Sequence, residues 1–179
     1  MKNRMSEILI KEHENILKLI DILQYLDNKW LENPIEFEEV MAEAIDFCKT
    51  YADQIHHQKE ETLLFNTLSE LNPMLQYGVV GEMIEHHEIF REMLVNTQNY
   101  LLDKKYLQAY KEFKKYLEIL EDHIIIENNE LFPMADDLLP ENIQEKIYFE
   151  AKDYDSQVET TKQSMEEKLN WLLKKVQTL

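Results

Sequence analysis

Two segments of the chain place histidine and glutamate in the same frame. At residues 56–65 and 123–132 a histidine is followed by glutamate four positions later and by Leu-Phe eight and nine positions later. Residues four apart lie one turn apart on the same face of a helix. Each segment therefore presents an imidazole and a carboxylate in the same direction, which is a pairing that can bind a metal ion.

Each segment also has a His-Glu pair upstream of it in a stretch with helical apolar periodicity, His13-Glu14 before the first and His87-Glu88 before the second. Four inward histidines and two inward carboxylates on four helices would form a dinuclear metal site. Imidazole and carboxylate together suit Fe, Mn or Zn. We predict two bridging carboxylates, Glu60 and Glu127, and four terminal imidazoles: His13, His56, His87 and His123.

The second helical stretch leaves two assignments open, because His56 and His57 are adjacent. Neighbouring residues are about 100° apart on an α-helix, so only one of the two can point straight inward. Aligning the two Leu-Phe pairs favours His56 with Glu60. The alternative pair, His57 with Glu61, has the same internal spacing and loses only that alignment.

A similar choice arises between His86 and His87. An apolar residue follows His87 at the third position, as one follows His13, and this match favours His87 as the ligand. We expect His57 and His86 to lie around the ligands or at the surface, although one of them could supply an extra ligand.

Over roughly residues 5–135 the chain resembles the HHE, or hemerythrin-like, family of di-iron four-helix bundle proteins. The resemblance implies a non-haem centre of two carboxylate-bridged Fe ions, with Zn or Mn possible, that binds or senses dioxygen, nitric oxide or peroxide. It leaves two alternatives: a di-iron enzyme or iron donor in nitrosative or oxidative stress and iron–sulfur cluster repair, and a metal-stabilised interaction scaffold. Arg91 stands where oxygen-carrying hemerythrins place a further histidine, and the predicted ligands include four histidines where those proteins usually have five.

The helical spacing of apolar residues, and the positions of the prolines and glycines between them, predict an all-α protein. Helices are expected over about 2–30, 34–71, 81–102 and from residue 106 to the Phe132-Pro133 pair, where proline should end the helix. Short connections imply antiparallel neighbours, hence an up-down-up-down four-helix bundle over residues 1–135. Residues 136–179 are predicted to form an additional C-terminal helix that packs on the bundle or on a partner, possible partners including a second copy in a homodimer.

Composition and charge exclude several classes of partner and location for this predicted bundle. The net charge of −17 argues against nucleic acid and anionic membranes as partners. Apolar runs stay well short of the roughly 20 residues of a membrane span, and no signal peptide is expected at the start, so we predict a cytoplasmic protein. Cys48, the single cysteine, excludes an internal disulfide and a thiolate metal cluster.

Overall fold

The computed structural model describes residues 3–176, and every regular element in that part of the chain is a helix. The predicted helix start at Lys2 and the last three residues of the predicted tail, 177–179, lie outside the described residues. None of the helices described is both long and apolar enough to cross a membrane.

The first predicted helix is divided into three. Asn28 has a φ of 59°, in the left-handed region that asparagine tolerates better than most side chains, and it separates the second piece from the third. The prediction of one continuous helix over 2–30 is therefore wrong. The pieces are α1 (Met5–Leu17), α2 (Ile20–Leu26) and α3 (Lys29–Glu32).

The second stretch is helical from Pro34 to Leu71, as predicted. Asn33 caps it, because its side chain accepts a hydrogen bond from the backbone N–H of Glu36 at 3.3 Å and Pro34 occupies the first turn. Part of this helix has the wider turn of a π-helix, a rare geometry that is frequent at functional sites. Its successive pieces are α4 (Pro34–Phe47), two π-helical segments (Cys48–His57 and Glu60–Phe65) and α5 (Asn66–Leu71).

The next two stretches form a helical hairpin. A 3-10 turn (Pro73–Tyr77) leads into α6 (Val79–Leu102), which is followed by α7 (Tyr106–Ile126), a π-helical segment (Glu127–Leu131) and α8 (Phe132–Leu138). The prediction that Pro133 ends the helix is wrong, since the chain stays helical to Leu138. Pro133 is the second residue after the π-helical segment, in a turn where the regular i→i−4 bonding that a proline interrupts is already altered.

The tail forms two helices where one was expected. Val158, with φ −105° and ψ 11°, leaves the helical region and separates α9 (Glu141–Gln157) from α10 (Glu159–Val176). Helix α9 contacts α1, and helix α10 contacts α2 and α4. The apolar stripe of the tail is buried within this chain at Ile147, Ala151, Met165, Leu169 and Leu172.

The core consists of two apolar clusters. The Phe37 cluster includes Ile16, Phe37, Ala52, Phe90 and Ile124, and the Phe65 cluster includes Leu9, Phe65, Met83, Leu131 and Ala151. Along each of the four long stretches the chain passes from one cluster to the other, and the candidate ligands fall at the crossing. The candidate site is therefore a polar layer between two apolar clusters.

Candidate metal centre

The polar layer contains every ligand predicted from the sequence, and one more histidine. Each of its side chains is at most 2 % exposed. Two are carboxylates and the others are imidazoles, and they come from all four helical stretches. The members of this layer are His13, His56, His57, Glu60, His87, His123 and Glu127.

The ligand atoms fall into two groups, within each of which all atoms lie within 4.8 Å of one another. The first group is His13, His56, Glu60 and Glu127, and the second is His57, Glu60, His87 and His123. Glu60 belongs to both, as a bridging carboxylate would. Glu127 also reaches the second group, because its Oε2 atom lies 3.2 Å from His123 Nε2.

Distances within the layer match those between atoms that share a metal ion. Ligands about 2.0–2.1 Å from one ion lie about 3 Å from each other. His13 Nε2 is 3.3 Å from Glu127 Oε2, and His56 Nε2 is 3.3 Å from Glu60 Oε1. In the second group, His87 Nε2 is 3.2 Å from His123 Nε2 and 3.6 Å from Glu60 Oε2.

Several of these buried atoms have no hydrogen-bond partner. A buried polar atom without a partner costs free energy, so native structures rarely leave one unsatisfied. Here the unsatisfied atoms converge on one place, and the donor set of imidazole nitrogens and carboxylate oxygens fits two metal ions. The atoms are Nε2 of His13 and His56, both ring nitrogens of His57, and both carboxylate oxygens of Glu60 and Glu127.

Three imidazoles are oriented by an oxygen outside the layer. An amide or carboxylate oxygen can only accept, so each of these histidines has a proton on Nδ1 and turns Nε2 inward. Such outer partners fix the tautomer and the ring orientation of metal ligands. The Nδ1 donors and their acceptors are His13 to Asn128 (2.8 Å), His56 to Glu12 (3.0 Å) and His87 to Glu61 (2.7 Å).

His57 lies inside the layer beside His56. Both adjacent histidines are buried, although on a regular α-helix only one of them could point straight inward. The reason is the π-helical segment, whose wider turn rotates each residue by less than an α-helix does. His57 stacks on His87 with ring centroids 3.8 Å apart, and burial together with the neighbouring His87 ring lowers the pKa of His57 well below its ordinary value. It is therefore neutral, the form that binds a metal.

Glu61 and His86 lie outside the layer. Glu61 accepts from His87 and contacts the Arg91 guanidinium at 2.7 Å. Burial raises the pKa of Glu61, but the hydrogen bonds from His87 and Arg91 outweigh it and lower the pKa. His86 is half-buried, with its Nδ1 3.3 Å from His123 Nδ1. Arg91 thus contacts the Glu61 carboxylate that accepts the hydrogen bond from His87.

Imidazoles and carboxylates within the layer shift each other's pKa values. Burial lowers the pKa of His56, but Glu60 and Glu12 outweigh burial and raise it to about 10. Burial raises the pKa of Glu127, but His123 and His13 hold it well below its ordinary value. Glu127 is therefore ionised, the form that binds cations.

The sequence argument missed three residues around this layer: Glu12, Lys59 and Asn128. Glu12 is 3 % exposed and Lys59 is fully buried. A signal was present for Glu12, which lies three residues after Leu9 on the apolar stripe of α1. Lys59 likewise follows Ile55 by one helical turn, and a charged residue on an apolar stripe indicates a buried partner.

Residues 4–135 of the chain match the family described as the hemerythrin HHE cation binding domain. The match includes all seven residues of the polar layer and ends before α9 begins. No curated protein and no solved structure matches the chain significantly.

Proposed function

The chain belongs to the hemerythrin HHE cation-binding family, and we propose that its polar layer holds a non-haem di-iron centre that binds or senses dioxygen, nitric oxide or peroxide. The observation that carries this proposal is the convergence of buried imidazole and carboxylate atoms without hydrogen-bond partners. Glu60 and Glu127 would bridge the two ions, and the five imidazoles would complete the ligand set.

The two metal positions are unequal. The first group contains two imidazoles, and the second contains three. With Glu60 and Glu127 both bridging, a metal in the first group would have four protein ligands and a metal in the second group would have five, which would leave more room for a small molecule at the first. When bound, iron would supply a redox-active ion that can coordinate a diatomic molecule or peroxide.

The residues around the layer exclude water and hold the imidazoles in place. Phe132 stacks on His13, and Phe65 stacks on His87, with both phenylalanine side chains 1 % exposed. A dry site strengthens electrostatic interactions and keeps reactive ligands away from bulk solvent. These features would shield a small ligand bound there from bulk solvent.

We further infer that the four stretches form the up-down-up-down bundle predicted from the sequence. Helix α1 runs from the Phe65 cluster to the Phe37 cluster, the α4 stretch runs back, α6 runs forward and α7 returns. This alternation is expected of antiparallel neighbours joined by short connections.

Anaerobic reconstitution with Fe(II) tests the proposal. Elemental analysis should return close to two iron ions per chain, as a dinuclear site requires. The reduced protein is then titrated with dioxygen and, separately, with nitric oxide while its optical spectrum is recorded. A spectrum that returns on removing the gas supports reversible binding. Turnover of the gas would indicate an enzyme, and an unchanging spectrum would indicate a structural metal.

A further inference from the structure

Lys59 is a fully buried lysine next to the bridging candidate Glu60. An ammonium group removed from water is costly unless it is paired and hydrogen-bonded. The Lys59 Nζ atom donates to Glu12 of α1 and, at 2.6 Å, to Asp155 of α9. Lys59 therefore ties the ligand-bearing helix to the tail.

Glu12 connects this lysine to the metal ligands. One of its oxygens, Oε2, accepts from His56 Nδ1 at 3.0 Å, and the other, Oε1, accepts from Lys59 and from Lys162 of α10. Burial raises the pKa of Glu12, but His56 and the two lysines outweigh it and lower the pKa far below its ordinary value. Glu12 is thus a carboxylate that faces His56 on one side and two lysines on the other.

The contacts close into a ring of alternating charge. Lys59 and Lys162 each contact both Glu12 and Asp155, with Lys162 Nζ 2.5 Å from Glu12 Oε1 and 3.0 Å from Asp155 Oδ2. Two positive and two negative side chains balance. Half of the ring, Asp155 and Lys162, lies beyond residue 135, where the family match ends.

We propose that helices α9 and α10 position His56 for metal through this ring, so that the tail is a working part of the centre. The inference rests on the proposed di-metal function. The ring should affect the two groups of ligands unequally. The ring supports the first group of ligands through His56, whereas the side chains that contact the second group from outside the layer, Asp53, Glu61 and His86, belong to the bundle.

Lys162→Met, compared with Lys168→Met, tests the inference. Both lysines lie on α10, both side chains are 18 % exposed, and both form ion pairs with the bundle. Lys168 contacts Glu43 and Asp46 of α4 and has no contact with the ring. The two variants therefore differ mainly in the link to His56.

Each variant is loaded anaerobically with Fe(II), and iron release to a ferrous chelator is followed with time. In Lys162→Met we expect one of the two ions to leave measurably faster, but by less than the about 10–100-fold typical of losing a direct partner of a metal ligand, because Lys162 acts on His56 through Glu12. Lys168→Met should release both ions at the wild-type rate, and Lys162→Arg should restore slow release. Asp155→Asn, a near-isosteric change in the same ring, should repeat the result and serves if Lys162→Met does not fold.

Wild-type release rates in Lys162→Met and Asp155→Asn would overturn the inference while leaving the di-metal function intact. Equal acceleration in Lys162→Met and Lys168→Met would also overturn it, because the tail would then act only through general stability. A wild-type chain that takes up no iron would overturn the proposed function and the inference together.

Discussion

Phe132 stacks on His13, with ring centroids 5.6 Å apart and ring planes 12° from parallel. Phe65 stacks on His87 in the same way, at 5.8 Å and 24°. The phenylalanine that ends each repeated segment therefore packs on a histidine from a different helix. This relationship gives the repeated frame a physical reason, because each segment supplies a histidine, a carboxylate and the ring that packs on a neighbouring imidazole.

Phe132→Ala should destabilise even the metal-free protein. Removing a fully buried phenylalanine from a packed core costs about 3–5 kcal/mol in the free energy of unfolding. Urea denaturation of the metal-free chain measures this loss in the free energy of unfolding. Phe149, which is 52 % exposed, is the control, and Phe149→Ala should change the free energy by about 0.5 kcal/mol or less. Equal losses in both variants would contradict the packing described for Phe132.

His57→Ala should lose metal, and His86→Ala should retain most of it. His57 is buried with both ring nitrogens unsatisfied, whereas His86 is half-buried and its ring contacts His123 at the edge of the layer. Iron content after anaerobic reconstitution distinguishes the two. Full iron content in His57→Ala, together with loss in His86→Ala, would mean that the second group has been assigned to the wrong histidine.

The contrast between His56 and His57 shows how far sequence reasoning reaches here. Helix positions and the inward side of each helix follow from apolar spacing, and this spacing predicts one layer for His13, His56, Glu60, His87, His123 and Glu127. The π-helical turns are different, since apolar spacing is interpreted on the assumption of regular α-helical turns. The spacing therefore ranks His57 below His56 and leaves it only as an extra ligand. The Val158 break and the pairing of Lys59 with the tail depend on long-range contacts in the same way.

Asn128→Ala should weaken metal binding. Asn128 accepts from His13 Nδ1 at 2.8 Å and holds Nε2 inward, and loss of such a partner typically reduces metal affinity about 10–100-fold. Competition with a chelator of known affinity measures the change. The exposed neighbour Asn129 is the matched control, and Asn129→Ala should bind metal like the wild type. Indistinguishable affinities in the two variants would show that His13 needs no outer partner.

Metal binding should release protons, and its affinity should rise with pH. In the metal-free protein the pKa of His56 is raised from 6.5 to about 10, so at pH 7.5 this imidazole is protonated. A metal requires the neutral ring, and binding must therefore displace that proton. The affinity gain should continue as the pH rises toward 10. Titration with Zn²⁺ in weakly buffered solution containing a pH indicator detects the release, which should diminish in His56→Ala.

Removing the metal should lower the melting temperature while leaving the helical signal at room temperature nearly unchanged. Without metal the layer keeps unsatisfied buried atoms on Glu60 and Glu127, and their neighbouring imidazoles offset this cost only in part. An ion that binds only the folded state stabilises it by about 2.7 kcal/mol when its free concentration is 100 times its dissociation constant. The apolar clusters on both sides of the layer remain, so the helices should stay packed.

Circular dichroism of the same preparation before and after anaerobic iron loading checks both parts of this expectation. The Glu60→Ala variant is the control, because it lacks a bridging carboxylate and should show a smaller difference between its loaded and metal-free melting temperatures. Without metal, Glu60→Ala loses some packing but also loses an unsatisfied buried carboxylate. The two effects oppose each other, so its metal-free form should melt close to the metal-free wild type. Identical melting curves for loaded and metal-free wild type would mean that any bound metal is a surface ion and that the polar layer does not hold it.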